Sequence, residues 1–274
     1  MLKVIIALWM IFFIYLAYLL FSYIKYKLLL KKLLKIPFPK EYKNYLSNIP
    51  HYQKLPEDLK IKIERSILLF IKTKQFIGVK IYISDEIKVI ISFYACLIVL
   101  NRNECYENLE YIYVYPHTMI LNQVQNNGGI YNKEIFLISG EAVGDSVVIA
   151  WDEAKKDIYH YKNRNVIIHE FTHELDFESG NVDGIPPLET SKYNEWIDII
   201  GTSYEEFKYR IINHKSLQKY KLIDKYASTN TAEFFAVLSE TFWNNPKLLK
   251  KHFPKIYKEF KDFFNFDTAK YFIV

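Results

Sequence analysis

The first apolar stretch of the chain has no charged residue from Val4 to Ile24, and Lys3 and Lys25 flank it. A helix of this length, at about 1.5 Å per residue, crosses a hydrocarbon layer about 30 Å thick. A buried core helix would show polar positions at the helical period, and a signal peptide would have a shorter apolar run with a small-residue cleavage site. The stretch has neither, so the pattern predicts a membrane anchor over residues 4–24.

The patterns that follow predict two helices. Residues 56–75 open with Pro56 and two acidic residues and repeat apolar residues on one face. Ser84 is placed to cap a second helix that runs to about Leu100 and is apolar nearly all round. We expect this second helix to lie deep in a core. A second membrane span is the alternative, but the run is short and contains Lys88.

The middle of the chain changes to the two-residue period of strands. Residues 111–115 predict a strand, and residues 134–138 and 146–151 predict two more. Helical patterns return afterwards, and this order of elements predicts an α+β fold with a small mixed sheet. Since no repeat or low-complexity linker follows residue 40, we expect one domain over 37–274, behind an anchor and stem at 1–36.

The formal charge is +5, and residues 1–36 contain six lysines and no acidic residue. Residues 37–274 are therefore close to neutral, which gives no support to a direct nucleic-acid partner. Five of the six lysines follow the apolar stretch, so the positive-inside rule predicts that residues 37–274 lie in the cytoplasm. Cys96 and Cys105 are too few for a disulfide scaffold, and Cys96 is expected to be a small core residue.

The candidate chemistry begins with an H-E-x-x-H motif at His169, Glu170 and His173. On a helix, histidines four residues apart lie on one face and can bind one metal ion, while the intervening glutamate lies near the water that the ion holds. Asn163 or Asn165 can cap this helix. The alternative is two surface histidines beside a glutamate, but the apolar residues entering the motif argue against a solvated face. The motif therefore predicts zinc.

A catalytic zinc has three protein ligands and one open position. A third histidine six residues after His173, as in metzincins, is excluded because Ser179 stands there, and no other histidine has a recognisable spacing. A carboxylate in the apolar segment 231–240 is costly to bury without a cation, so Glu233 is the predicted third ligand. Glu240, two turns further along the same face, is either a partner of a ligand histidine or an exposed helix residue.

Thr231 is the predicted cap of the helix that carries Glu233, and Tyr226 precedes it by a short loop. From that loop a phenol could bend over the metal and donate a hydrogen bond to an oxyanion. The chain has 23 tyrosines, so position alone is weak ground for this role.

Several segments besides the motif stand in a specific order and spacing between about Leu55 and Phe264. They are Phe76–Gly78, Ala95–Leu97, Val114–Pro116, Gly140–Ala142, Val148–Asp152, Asn165–Asp176, Asp183–Leu188, Tyr226–Thr229 and Ala232–Glu240. In this arrangement the chain resembles the Mlc titration factor A family of zinc metallopeptidases, the glucose-regulated peptidases of bacteria. It departs from that pattern at Val143, where a tryptophan is expected, and in its apolar amino terminus, since the family prototype is soluble.

The resemblance implies zinc held by His169, His173 and Glu233, with Glu170 as general base and Tyr226 as a transition-state donor. It also implies a zincin-like fold of the gluzincin type, related to the catalytic domain of anthrax lethal factor, and aminopeptidase-type activity on small substrates. The family prototype binds the repressor Mlc, so a transcriptional repressor is an implied partner.

Together these features predict a zinc peptidase at the cytoplasmic face of a bacterial inner membrane. Glu170 would move a proton from the attacking water to the leaving amine, with Tyr226 beside the oxyanion. The strand near 146–151 is the expected edge for aligning an extended peptide substrate. Two alternatives remain open: a module that sequesters a repressor, with peptidase activity secondary, and an outward-facing protease of opposite topology.

Overall fold

The computed structural model describes residues 2–33, 36–102, 106–117, 145–160 and 164–272. The chain divides into two compact units, Met1–Lys40 and Glu41–Val274. Five features named from the sequence fall outside the described residues: the strand at 134–138, the segment Gly140–Ala142, the departure at Val143, the cap Asn163 and the thiol Cys105.

The first unit consists mainly of one helix, α1, Leu2–Leu33. Its segment Lys3–Lys25 has a mean hydropathy of 2.7, and none of it is buried. Large apolar side chains along it are exposed, among them Trp9 at 56% and Phe21 at 66%. By length and composition α1 can cross a membrane, and its exposure contradicts the alternative of a buried core helix.

Four helices follow α1: α2, Lys40–Ser47, which begins at the last residue of the first unit; α3, Pro50–Lys54; α4, Glu57–Thr73; and α5, Asp85–Ile98. As predicted, α4 buries one apolar face that includes Ile63 and Ile67, and it ends at Thr73. The Ser84 hydroxyl caps α5 by accepting a hydrogen bond from the backbone N–H of Ile87 at 3.3 Å. With 14 residues, nearly all of them buried, α5 is a core helix and not a second membrane span.

The described strands are β1, Gln75–Gly78; β2, Tyr111–Tyr115; and β3, Ser146–Ala150. They form one sheet in the order β1-β2-β3, and both pairings are parallel, with Ile112 opposite Phe76 on one side and Val147 on the other. The described strands are thus all parallel, and a mixed sheet stays a prediction, because the predicted strand at 134–138 lies outside the described residues. The prediction missed β1, because its four residues show no alternation of buried and exposed positions. β3 is shorter than predicted, since Trp151 begins the next helix.

The carboxyl-terminal part of the chain is helical. Its helices are α6, Trp151–His160; α7, Val166–Phe177; α8, Tyr193–Trp196; α9, Thr202–Ile212; α10, Thr231–Asn244; α11, Pro246–His252; α12, Pro254–Phe264; and α13, Thr268–Tyr271. Residues Ile197–Gly201 form a π-helical turn between α8 and α9. Short 3-10 turns occur at Thr190–Lys192, Gln218–Leu222 and Lys225–Ser228.

Aromatic side chains form much of the core around α10. Trp196 stacks on Phe260 of α12 with 5.5 Å between ring centroids, and Phe235 of α10 meets both rings edge-on at 5.4 and 5.5 Å. Each such ring buries about 150–250 Å² and fixes the helices relative to one another. α10 is buried along nearly its whole length and also packs against α7. Polar side chains on the α7-facing side of α10 therefore lie between the two helices.

Candidate metal centre

The motif helix α7 is fixed at its start by Asn165, one of the two predicted caps. Its side-chain Oδ1 accepts hydrogen bonds from the backbone N–H groups of Ile167 and Ile168, both at 3.1 Å. Both isoleucines are fully buried and hold one face of α7 in the core. His169 and His173 lie on another face, only partly buried, with 4.9 Å between their ring centroids. The local sequence thus presents two imidazoles on one side of a well-anchored helix.

The third side chain comes from the first turn of α10. Asn230 caps this helix, because its Oδ1 accepts a hydrogen bond from the backbone N–H of Glu233 at 2.8 Å. The predicted cap, Thr231, is instead the first helical residue, since Asn230 has the extended backbone that a cap requires, with φ −157° and ψ 176°. The positive end of the helix dipole stabilises the Glu233 carboxylate at this position.

His169, His173 and Glu233 meet where α7 and α10 pack together. His169 Nε2 lies 3.1 Å from Glu233 Oε2, and His173 Nε2 lies 3.2 Å from His169 Nε2 and 3.5 Å from Glu233 Oε1. One ligand atom from each side chain lies within 4.8 Å of the other two. The structure therefore brings together the three side chains that the sequence singled out as ligands.

Glu240 resolves the alternative that the sequence left open. Its side chain is buried, at 4% exposure, so it is not a solvated helix residue. Oε1 lies 2.7 Å from His169 Nδ1, and Oε2 accepts a hydrogen bond from the backbone N–H of Asn165 at 2.5 Å. A carboxylate at Nδ1 keeps a proton on that nitrogen and directs the lone pair of the neutral imidazole to Nε2. Glu240 thus orients His169 towards the cluster.

The electrostatics of the cluster follow from its burial and its hydrogen bonds. Burial disfavours the charged form of His169, but its contacts with Glu233 and Glu240 outweigh burial and raise its pKa to about 10. Burial alone would raise the pKa of the Glu233 carboxyl, yet the hydrogen bonds with His169 and His173 hold it well below its ordinary value. The cluster therefore holds an ionised carboxylate against positive charge.

Glu170 and Tyr226 lie beside these side chains. Burial raises the pKa of the Glu170 carboxyl, although the charges of His169 and His173 oppose this effect. The Tyr226 hydroxyl donates to Glu233 Oε1 at 3.2 Å, while the residue is 47% exposed. Burial of the hydroxyl and the neighbouring Glu233 carboxylate raise the pKa of Tyr226 to about 12, so its phenol keeps its proton near neutral pH.

The donor set suits a divalent transition metal. Two imidazole nitrogens and one carboxylate oxygen converge from two helices, which is the number and kind of protein ligands that catalytic metal sites use. A metal ion bound there would replace the protons that the cluster otherwise needs between its nitrogen and oxygen atoms. The hydrogen bond from His169 to Glu240 adds the outer contact that metal-binding histidines make.

A second set of contacts around the site was not found by sequence reasoning. Asp176, at the end of α7, is fully buried, and its Oδ2 accepts a hydrogen bond from the backbone N–H of Gly184 at 2.7 Å. Burial raises the pKa of the Asp176 carboxyl to about 6, against the opposing influence of that N–H group. The Trp196 indole N–H donates to the carbonyl of Gly184 at 2.9 Å. Asp176 and Gly184 belong to segments that carry the family resemblance, 165–176 and 183–188, but nothing in either segment indicates that they meet.

The geometry agrees with a comparison of the sequence with known families. A model of the family described as Glucose-regulated metallo-peptidase M90 matches residues 25–265. The chain belongs to this family. M90 is a metallopeptidase family, so membership implies a bound metal ion. The cluster of His169, His173 and Glu233 could hold such an ion.

Curated relatives of this M90 chain carry the name that the sequence resemblance suggested. Mlc titration factor A of Serratia proteamaculans is 29% identical over 169 residues, which cover 60% of this chain and 63% of the relative. Mlc titration factor A of Cronobacter sakazakii is 26% identical over 226 residues, covering 80% and 83%. An uncharacterised protein of Synechocystis sp. is 29% identical over 242 residues, covering 85% and 86%. The predicted family is confirmed.

Proposed function

We propose that this chain is a zinc-dependent peptidase of aminopeptidase type, held by α1 at the cytoplasmic face of a membrane. One observation carries the proposal: ligand atoms of His169, His173 and Glu233 lie within 4.8 Å of one another, and Glu170 follows the first of them on the same helix. Two imidazoles and one carboxylate form a ligand set that zinc peptidases use. Membership in the M90 family supports the peptidase assignment.

In this proposal zinc supplies Lewis-acid chemistry when it is bound, since it polarises a carbonyl oxygen and lowers the pKa of water from about 15.7 to about 7. Glu170 accepts the proton of the attacking water and passes it to the leaving amine. A pKa raised by burial suits this exchange, because it brings the carboxyl closer to neutrality. Tyr226 keeps its proton and donates a hydrogen bond to the carbonyl oxygen as negative charge develops there.

We propose β3 as the strand that aligns an extended peptide. Among the described strands it lies at the edge of the sheet that is nearer to α7, and it pairs there with β2 alone. Its side chains Val147 and Ile149 are buried and hold the strand in the core. Because no described strand pairs with the outer edge of β3, its backbone there can pair with a substrate by strand addition. Methylating one backbone nitrogen of a peptide substrate should then raise KM, and an unchanged KM at every position would contradict this alignment.

The enzymatic proposal is tested by metal analysis and by cleavage of a peptide library with the purified chain. Glu170→Gln should retain zinc and lose cleavage, because it removes the proton acceptor but none of the ligands. Tyr226→Phe should lower kcat by about 10²–10³ with little change in KM, as expected for an oxyanion donor. Aminopeptidase specificity predicts that acetylating the amino terminus of a substrate abolishes its cleavage.

The location rests on the charge around α1. One lysine precedes its apolar residues 4–24 and five follow them by residue 36, which favours a cytoplasmic catalytic unit. The same lysines attract anionic headgroups. A tag at the carboxyl terminus should resist protease added to intact cells and become accessible after lysis. Digestion from outside would establish the opposite topology and favour an outward-facing protease.

A second candidate function is supported by the names of the relatives, Mlc titration factor A. In that case the chain sequesters a transcriptional repressor at the membrane, and hydrolysis is secondary. Glu170→Gln distinguishes the two functions, since it should abolish a cellular effect that depends on hydrolysis. A cellular effect that survives the substitution would favour the binding function.

A further inference from the structure

Tyr226 stands in the short 3-10 turn Lys225–Ser228, shortly before α10, and both polar groups of its backbone are engaged by nearby residues. Asp224 Oδ1 accepts a hydrogen bond from the Tyr226 N–H at 2.9 Å. The Tyr226 carbonyl accepts two hydrogen bonds from Thr229, one from its backbone N–H at 3.0 Å and one from its hydroxyl at 2.7 Å. Asp224 and Thr229 therefore fix the peptide groups on the two sides of Tyr226.

Stability alone gives little reason for these contacts. Asp224, Tyr226 and Thr229 are all exposed. An exposed backbone group can bond to water instead, so the loss of such a hydrogen bond changes the free energy of unfolding little. What the contacts determine is direction, because the two planar peptide groups that flank a residue set the course of its Cα–Cβ bond. Holding both peptide groups thus aims the Tyr226 side chain.

The Tyr226 phenol reaches a side chain that is placed in the same way. Its hydroxyl donates to Glu233 Oε1 at 3.2 Å, although the two residues are seven positions apart. Glu233 is held by Asn230, whose Oδ1 accepts a hydrogen bond from the Glu233 N–H at 2.8 Å. The segment 224–233 thus contains the proposed oxyanion donor, a predicted metal ligand and the side chains that place both backbones.

Thr229 and its neighbour Ser228 make the same kind of hydrogen bond to different residues. The Thr229 hydroxyl donates to the carbonyl of Tyr226, and the Ser228 hydroxyl donates to the carbonyl of Lys225 at 2.8 Å. Each bond runs from a side-chain hydroxyl to the carbonyl three residues earlier. The two bonds stabilise the same turn, but only the bond from Thr229 reaches the backbone of Tyr226.

We propose that Thr229 is a positioning residue of the active site, whose hydroxyl holds the Tyr226 carbonyl so that the phenol stays aimed at the metal cluster. Asp224 holds the N–H group of Tyr226 from the other side. This inference rests on the proposed function, in which Tyr226 stabilises the oxyanion, and adds the residue that keeps that donor in place. A donor stabilises developing charge only if it is already in position, so a small displacement of the phenol lowers kcat.

The test compares Thr229→Val, Thr229→Ser and Ser228→Ala in the full chain, each with and without Tyr226→Phe. Valine keeps the branched shape of threonine but has no hydroxyl, whereas serine keeps the hydroxyl. Ser228→Ala removes the hydrogen bond to Lys225 and leaves both contacts of Tyr226 in place. We measure kcat and KM with a peptide that the wild type cleaves, and zinc affinity by competition with a chromogenic chelator. Near-UV circular dichroism reports whether each variant is folded.

We expect Thr229→Val to lower kcat by about tenfold, less than the loss of about 10²–10³ expected of Tyr226→Phe, because the donor is displaced and not removed. KM and zinc affinity should stay within about twofold of the wild type, since no ligand is touched. Thr229→Ser and Ser228→Ala should keep kcat within about threefold of the wild type. In a chain that already has Tyr226→Phe, adding Thr229→Val should change kcat by less than about twofold.

Three results overturn the inference. One is an unchanged kcat of Thr229→Val. Another is an equal loss in Ser228→Ala, which would show that the turn as a whole is weakened. The third is a full tenfold loss in the Tyr226→Phe background, which would show that Thr229 acts on another group. With an active wild type, these results leave the proposed peptidase function intact. A wild type that cleaves no peptide defeats the proposed function first, and the inference fails with it.

A second pair of variants covers the case in which Thr229→Val does not fold. Asp224→Ala releases the N–H group of Tyr226, whereas Asp224→Asn keeps an oxygen that can accept from it. We expect Asp224→Ala to lower kcat about tenfold and Asp224→Asn to stay within about threefold of the wild type. Equal kcat values of these two variants would show that the backbone of Tyr226 needs no such support and would overturn the inference.

Discussion

Replacing Glu240 by glutamine leaves the shape of the side chain but removes its charge and one of its acceptors. The carboxylate lies 2.7 Å from His169 Nδ1 through Oε1 and 2.5 Å from the Asn165 backbone nitrogen through Oε2. Glutamine can accept from one of these donors, so its own NH₂ group must face the other. With the residue at 4% exposure, water cannot take over the lost hydrogen bond.

The size of the effect follows from these two contacts. A hydrogen bond to a charged group contributes about 1.5–3 kcal/mol, and a buried donor left without an acceptor costs about 1–3 kcal/mol. Removing one partner of a buried charged pair costs about 3–5 kcal/mol. This value lies within the sum of the two preceding ranges, so we use it for Glu240→Gln. In a unit of this size each kcal/mol lowers the melting temperature by about 2–4 °C, so we expect a decrease of about 6–20 °C.

The measurement is thermal unfolding of the full chain in detergent with a chelator present, followed by near-UV circular dichroism. Ser239→Ala is the matched control, because Ser239 is the fully buried neighbour on α10 and its hydroxyl has no hydrogen-bond partner among the described residues. We expect this control to stay within about 0.5 kcal/mol of the wild type. A Glu240→Gln melting temperature within about 2 °C of the wild type would refute the claim that this carboxylate joins α7 to α10.

Two further predictions concern a close backbone contact and a buried histidine. Gly184→Ala should destabilise the fold by about 2–4 kcal/mol, because φ is +83° and the new Cβ would meet the Thr231 carbonyl. Gly180 is the control, because its φ is +100° but the space around it is open, so Gly180→Ala should cost only the backbone strain of about 1 kcal/mol. Equal losses of unfolding free energy in the two variants, measured by chemical denaturation, would contradict the close contact between Gly184 and Thr231. Burial lowers the pKa of His51 from 6.5 to about 4, so the unfolded chain binds a proton first as the pH falls. The contribution of His51 to the free energy of unfolding is therefore fully present above pH 6.5 and decreases by about 3 kcal/mol towards pH 4, at about 1.4 kcal/mol per pH unit. A wild type whose stability falls no more than that of His51→Gln across this range would exclude His51 as the cause.

Much of the candidate site follows from local sequence. The spacing of His169 and His173 places both imidazoles on one helix face whatever lies around them, because that face is set by the 3.6-residue period. Asn165 caps α7 through the backbone two and three residues on, which is also a local contact. The apolar segment from Val4 to Ile24 likewise predicts the exposed helix α1 by length and composition alone.

Contacts between distant segments depended on tertiary packing. β1 is a strand because Gln75–Gly78 pairs with residues that begin at Tyr111, and nothing within those four residues shows it. The sequence left Glu240 equally suited to solvent and to His169, and the packing of α10 on α7 decided for His169.

The same applies to the contact between Asp176 and Gly184. Hydrogen-bond geometry within a helix is specified by neighbouring residues, whereas the meeting of two helices depends on the aromatic core that holds them together. The three side chains of the cluster could therefore be named from the sequence, while the contact of Glu240 with His169 and that of Asp176 with Gly184 appeared only in the folded chain.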